Sequence, residues 1–142
     1  MKKLLVAFDG SETSKRALQH AVDRAKNDSS LSIHLVTAHE SPIFYPEIGL
    51  TVPYEKLVEL AAGEAARIQE PAERLMDAAG VRYTEEIVGG HIANAIADRA
   101  NQDDVAGVVM GTRGMSALKS LVLGSVASQV VHLAHAPVTL VK

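Results

Sequence analysis

The chain opens with an unbroken apolar run, Leu4 to Phe8, and turns polar at once with Asp9, Gly10 and Ser11. A short continuous run bounded by turn residues predicts a strand buried on both faces. Ala17, Leu18, Ala21, Val22 and Ala25 then recur at helical spacing, so Ser14 to Lys26 reads as an amphipathic helix. The stretch DGSETS ahead of it supplies the hydroxyl and acidic residues that suit a helix N-terminus, and NDSS breaks the pattern after it. The alternation continues. Leu31 to Ala38, Tyr83 to Val88, Val105 to Met110 and Val138 to Val141 read as strands. Tyr54 to Ala79, Ile92 to Ala100 and Val126 to Leu133 read as helices. Pro71 predicts a kink or break in the long helix, and Gly80 a cap at its end. Strands alternating with helices, most strands apolar throughout, predict an α/β fold: one domain, an open parallel sheet, helices on both faces. In such folds a ligand sits outside the carboxyl ends of the strands, where strand order reverses. That selects four connections: 9–14, 39–53, 89–92 and 111–125.

Composition narrows the classes. With 142 residues and 47% of them apolar, the chain can bury a proper core and is not disordered. The formal charge of −3 argues against nucleic acid or an anionic membrane as partner, since both select basic surfaces. No cysteine is present, which removes disulfides and thiol chemistry. The opening MKKLLVAF has too short an apolar run for an export segment, and no stretch approaches the ~18 apolar residues of a membrane span. A cytoplasmic location is the expectation.

The candidate chemistry lies in GTRGMSALKSLVLGS, which follows the fourth strand. Gly111, Gly114, Gly124 and Ser125 are spread over one long connection, with Arg113 and Lys119 between them. Neither the P-loop pattern GxxxxGK[ST] nor GxGxxG is present. The loop still suits phosphate. Glycine allows positive φ and close backbone approach to a ligand. Successive N–H groups form anion-binding nests, and Gly124-Ser125 opens a helix whose first turn carries unpaired donors. The Ser125 hydroxyl adds a donor, and Arg113 or Lys119 a charge. The plainer alternative is that these residues only end a strand, form a turn and cap a helix.

The chain as a whole resembles the universal stress protein family. VAFDGSETSKRAL is similar to the family's first strand and turn, and VVMGTRGMSALKSLVLGSVASQVVHLAHAPVTLVK to its final third. Gly111, Gly114, Gly124 and Ser125 fill the family's G-x2-G-x9-G-[ST] signature. The resemblance implies strand order 3-2-1-4-5 in a five-stranded sheet, and ATP as ligand, with magnesium or manganese carried by the nucleotide. It implies that Asp9 faces the adenosine and that the backbone of Ala38 flanks the base. Met110 and Gly111 would lie beside the ribose and phosphates; Gly114, Gly124, Ser125 and Val126 would hold the phosphates. Ala7 stands where the family often has proline, Phe8 where it has a smaller aliphatic residue, and Gly90-His91-Ile92 where it often has Gly-Asp-Pro. The site expected is therefore Ala7, Asp9, Ala38, Met110, Gly111, Arg113, Gly114, Gly124, Ser125 and Val126.

Other chemistry finds less support. His132 and His135 are three apart and His39 precedes Glu40, but no further ligands cluster with them, so no dedicated metal site is expected. His34 reads as a satisfied structural residue, Asp103-Asp104 as a solvated turn, and Glu85-Glu86 as guards of an edge strand. No GxSxG elbow occurs, and DGSETS is unlike the SGGxDS loop of adenylating relatives of the fold. Three functions compete: an ATP-binding regulatory protein, a slow ATPase or nucleotide-alpha hydrolase, and a nucleotide-free dimeric module. The segment from Glu40 to Pro53, with Phe44 and Tyr45, reads as a mobile cover or an apolar flap. The strand Val138 to Val141, at an edge in the implied order, is the expected homodimer contact.

Overall fold

A computed structural model describes residues 1–41, 52–114 and 123–142. The elements alternate: β1 (Lys2–Ala7), α1 (Glu12–Asn27), β2 (Leu31–His39), α2 (Tyr54–Ala79), β3 (Tyr83–Gly89), α3 (Ile92–Ala100), β4 (Val105–Gly111), α4 (Ser125–Leu133) and β5 (Val138–Val141). The strands form one sheet in the order β3-β2-β1-β4-β5, and every pairing is parallel.

The two-residue period of the strands divides the core. Leu4, Val6, Ile33, Leu35 and Val109 point to the face covered by α1 and α2, where they meet Leu18, Val22, Ala72 and Met76. Leu5, Ala7, Val36, Val108 and Met110 point to the other face and meet Ala93, Ile96, Ala127 and Val130 of α3 and α4. Both faces of β1 and β4 are thus covered, which is why their sequences are continuously apolar. The helical spacing of Ala17, Leu18, Ala21, Val22 and Ala25 places all five in the α1 face of the core.

Pro71 does not break α2, which runs unbroken as one helix. Ala65 and Gln69 before the proline and Ala72 and Met76 after it are all buried, so one face docks continuously on the sheet. That packing outweighs the one backbone bond that proline cannot donate. Gly80 ends α2 in the left-handed conformation, with φ +68°. Phe8 lies one residue beyond β1, and its N–H still donates to the Val36 carbonyl at 2.9 Å.

Three polar readings resolve differently. His34 is satisfied as expected, its ring nitrogens lying 2.8 Å from Thr84 Oγ1 and 3.3 Å from Glu86 Oε2. Glu86 is no free edge guard: Arg99 of α3 donates to it at 2.7 and 2.9 Å, so its charge is paired across to the helix and only partly exposed. Of the two glutamates, Glu85 is the exposed one on the edge strand β3. Asp104 is not merely solvated, because Lys3 of β1 pairs with it at 2.7 Å. Among the described residues, no helix is long and apolar enough to cross a membrane.

Candidate functional site

From β1 the chain proceeds to β2 and β3 on one side of the sheet, while β4 and β5 lie on the other. The carboxyl ends of β1 and β4 therefore diverge into different connections and leave a crevice between them. A cavity of about 260 Å3 fills it. Ala7, Asp9, Ala38, Met110, Gly111, Arg113, Gly114, Gly124, Ser125 and Val126 all line it. The structure thus brings together ten residues drawn from three strands, two loops and a helix.

The wall also contains Phe8, and Ser14 and Ile92 from the ends of the selected connections 9–14 and 89–92, none of them named in the expected site, together with Val36, Ile96 and Ala127, which sequence reasoning did not reach. A strand period of two from Ala38 reaches Val36, and a helical step of four joins Ile92 to Ile96. Those signals were available once the strand end was taken as the site. The cavity has two characters. Ala7, Val36, Ala38, Ile92 and Ile96 make an apolar end under α3. Asp9, Arg113, Gly114, Gly124 and Ser125 make a polar end.

The polar end is built on two turns packed against each other. In the first, Gly10 adopts φ +81°, a conformation that glycine takes without strain. The chain then reverses so that Asp9 Oδ1 accepts from the Ser11 N–H at 2.9 Å. Ser11 is the N-cap of α1, and its hydroxyl accepts from the Ser14 N–H at 3.3 Å. The Thr13 hydroxyl donates to the Arg113 carbonyl at 2.6 Å, joining this turn to the second one.

The second turn is the glycine loop. Its neck is closed by the Gly124 N–H, which donates to the Thr112 carbonyl at 2.6 Å. A Cβ on Gly111 would overlap Thr13 Oγ1 and approach the Thr13 carbonyl carbon to 2.9 Å. On Gly114 it would come within 2.9 Å of Asp9 Oδ2, and on Gly124 within 3.3 Å of the Thr112 carbonyl oxygen. Lack of space therefore demands glycine at Gly111, while at Gly114 the Asp9 carboxylate and at Gly124 the Thr112 carbonyl would have to give way to a side chain. Positive φ, the other expected reason, does not apply: among the described residues only Gly10, Gly80 and Gly90 have it. Lys119 and most of the 40–53 connection, including Phe44 and Tyr45, lie outside the described residues.

Helix α4 starts directly at the loop. Gly124 is its N-cap and offers no side-chain bond, so the first-turn residues Ser125, Val126 and Ala127 present their end of the helix to the cavity. Such an end carries donors and a partial positive charge.

The groups whose acidity departs from the ordinary lie away from the cavity, and three of them are around β3. The Arg99 guanidinium holds the Glu86 carboxyl below the usual carboxylate range. Burial first, then the neighbouring Glu85, raises Glu73. Tyr83 is pushed up to about 12, chiefly because its hydroxyl donates to Asp77, at 2.8 Å. None of these residues touches the cavity. Among the described residues, no three His, Asp or Glu side chains cluster as metal ligands. The arrangement suits an amphipathic ligand, with an apolar body under α3 and an anionic group at the loop.

Comparison with known proteins agrees with that geometry. The profile described as "Universal stress protein family" matches residues 1–142. A universal stress protein of Methanocaldococcus jannaschii is 32% identical over 143 residues, covering 99% of this chain and 82% of its own. Universal stress protein UspA from Lactobacillus plantarum superposes with a TM-score of 0.86 at 20% identity, over 99% of this chain and 97% of its own, and so shares the fold. The universal stress protein from Archaeoglobus fulgidus in complex with dAMP superposes with a TM-score of 0.71 at 23% identity, over 100% and 98% of the two chains. Two further structures of the same fold are complexes with cAMP and with AMP. Full-length sequence similarity, the shared sheet order and the filled glycine signature converge: this chain belongs to the universal stress protein family.

Proposed function

We propose that the protein is an ATP-binding regulatory module that acts as a homodimer. One observation carries the nucleotide reading. The three signature glycines, Asp9 and the open first turn of α4 meet at the polar end of a single cavity whose other end is apolar. Gly111 has no room for a side chain and Gly114 and Gly124 are crowded, so backbone forms this part of the wall, and backbone N–H groups with a helix N-terminus are what phosphate requires. Gly114, Gly124, Ser125 and Val126 would hold the phosphates. Met110 and Gly111 would flank the ribose, and Ala7, Val36 and Ala38 the base. Magnesium or manganese would enter with the nucleotide and neutralise phosphate charge, with Asp9 the nearest carboxylate.

Among the described residues of the wall, Asp9 is the sole carboxylate, and its Oδ1 already accepts from Ser11. No side chain there is placed as a general base for water. Turnover is therefore expected below about one per second, the low end for enzymes. Nucleotide occupancy, rather than its hydrolysis, is the signal in this reading, and the cytoplasm, with its adenine nucleotide pool, is its setting. Calorimetry with ATP and magnesium tests it: a saturable heat is expected, and neither heat nor a thermal shift at millimolar ATP would overturn it.

A second reading has support from the dAMP, AMP and cAMP complexes of the structural neighbours: a nucleoside monophosphate is the resident ligand. Competition between ATP and AMP separates the two. The dimer is proposed on β5, which among the described residues pairs with β4 alone and has its other edge unpaired. Antiparallel pairing of two such edges about a two-fold axis would satisfy both. Light scattering at micromolar protein should give a dimer mass, reduced to that of a monomer by Leu140→Pro; Pro137 and Val141 turn their carbonyls to β4, so the alternate residue Leu140 turns its N–H to the other edge.

A further inference from the structure

We propose that Thr13 is the positioning residue of the phosphate loop: its hydroxyl holds the Arg113–Gly114 peptide in the orientation that binds an anionic group. The inference rests on the nucleotide reading above and adds a residue to it. Thr13 sits in the first turn of α1 and is 5% exposed. Its place in the sequence suggests only a helix start. In the fold it reaches across 100 residues of chain to donate to the Arg113 carbonyl at 2.6 Å.

Several contacts give that bond its consequence. The described peptides are all trans, so the N–H of Gly114 points opposite to the Arg113 carbonyl. With the carbonyl drawn toward Thr13, the N–H is turned to the far side of the peptide. Arg113 and Gly114 line the cavity, and Thr13 does not. The same threonine fills the space that a side chain at Gly111 would need, so strand β4 and the loop both seat on it. On the other flank Gly114 rests against Asp9 Oδ2, and Asp9 is itself fixed by the Ser11 N–H. The short turn 9–13 thus grips the start of the glycine loop at two points, one at Arg113 and one at Gly114. A peptide held from behind loses little freedom on binding, which is what preorganisation of an anion site requires.

The test compares Thr13→Val, which removes the hydroxyl and keeps the shape, with Thr13→Ser, which keeps the hydroxyl. Affinities for ATP and for adenosine are measured by calorimetry. Amide resonances are recorded without nucleotide. Thr13→Val should weaken ATP roughly five- to tenfold, the range of one lost hydrogen bond, and leave adenosine unchanged. It should also move the Gly114 amide resonance in the nucleotide-free protein. Thr13→Ser should match the wild type in all three readouts. Equal loss for ATP and adenosine, an unmoved Gly114 amide, or loss of ATP binding in Thr13→Ser would each overturn the proposal. If Thr13→Val does not fold, Thr13→Ala, which also removes the hydroxyl, takes its place with the same expected and overturning results. A wild-type protein that binds no ATP refutes the underlying reading instead, whatever the Gly114 amide shows.

Discussion

Two helices begin at the same cavity and are finished in opposite ways. Helix α1 is closed by its own sequence: Ser11 caps it, Ser14 returns a bond to the Ser11 carbonyl at 2.9 Å, and Asp9 accepts from the Ser11 N–H. Helix α4 has glycine as its cap and no side-chain bond there. Both starts are rich in glycine and serine, so composition alone does not separate them. The difference is what an internal carboxylate does. Where Asp9 and Ser11 satisfy the donors, the turn is a structural joint. Where Gly124 has no side chain, the cap residue gives the first-turn donors of α4 no bond, and in the proposed function they meet the phosphates. The closed helix then serves the open one, since its first turn carries Thr13, which holds the loop leading to α4.

The largest expected effect breaks the open end directly. Gly114→Val puts a branched side chain against the Asp9 carboxylate, whose Oδ2 would be 2.9 Å from the new Cβ. Overpacking of this kind costs about 1–3 kcal/mol, and ATP affinity should fall about a hundredfold by calorimetry. A pair of serine substitutions then sharpens the contrast. Ser11→Ala should lower unfolding stability by about 1 kcal/mol in urea, because it removes a cap. Ser125→Ala should leave stability unchanged and weaken ATP by roughly 1 kcal/mol, one hydrogen bond. The reverse pattern would mean that the roles of the two helix ends were misassigned.

A third hydroxyl is neither capped nor open to a ligand. Thr37 of β2 is 2% exposed, and its Oγ1 has no hydrogen-bond partner among the described residues. Thr37→Val replaces it with a methyl of the same shape, so the protein should gain about 1 kcal/mol in urea unfolding. ATP affinity should not move, since Thr37 does not line the cavity.

The smallest effect is a pH control remote from both helix ends. Glu86, held below its usual range by Arg99, contributes stability that is fully present above its unfolded value of about 4.3. That contribution is lost as pH falls through the lower, folded value. Glu86→Gln should flatten the acid limb of the stability profile and leave the neutral ATP affinity as it was.

Much of this was legible in the sequence, for reasons that differ by region. Continuous apolar runs mark β1 and β4 because both of their faces are covered. Helical spacing marks α1 because a single face packs. The glycine positions were legible as a pattern, but their physical reason was not: crowding by Thr13, Asp9 and the Thr112 carbonyl involves residues far away in the chain. Thr13 itself was hidden for the same cause. Its partner lies 100 residues on, and near a helix start a threonine looks local. Glu86 shows the same limit in reverse, since its edge-strand position masked a partner on α3. Pro71 misled because the propensity of one residue counts for less than a docked helix face.

The most direct test of the account follows backbone amides by NMR as ATP and magnesium are added. The amides of Ser125, Val126 and Ala127 at the open start of α4, and of Gly114, should move in a saturable way. Those of Ser11 and Ser14 at the closed start of α1 should move far less. Unchanged α4 amides at millimolar ATP, or equal movement at both helix starts, would contradict it.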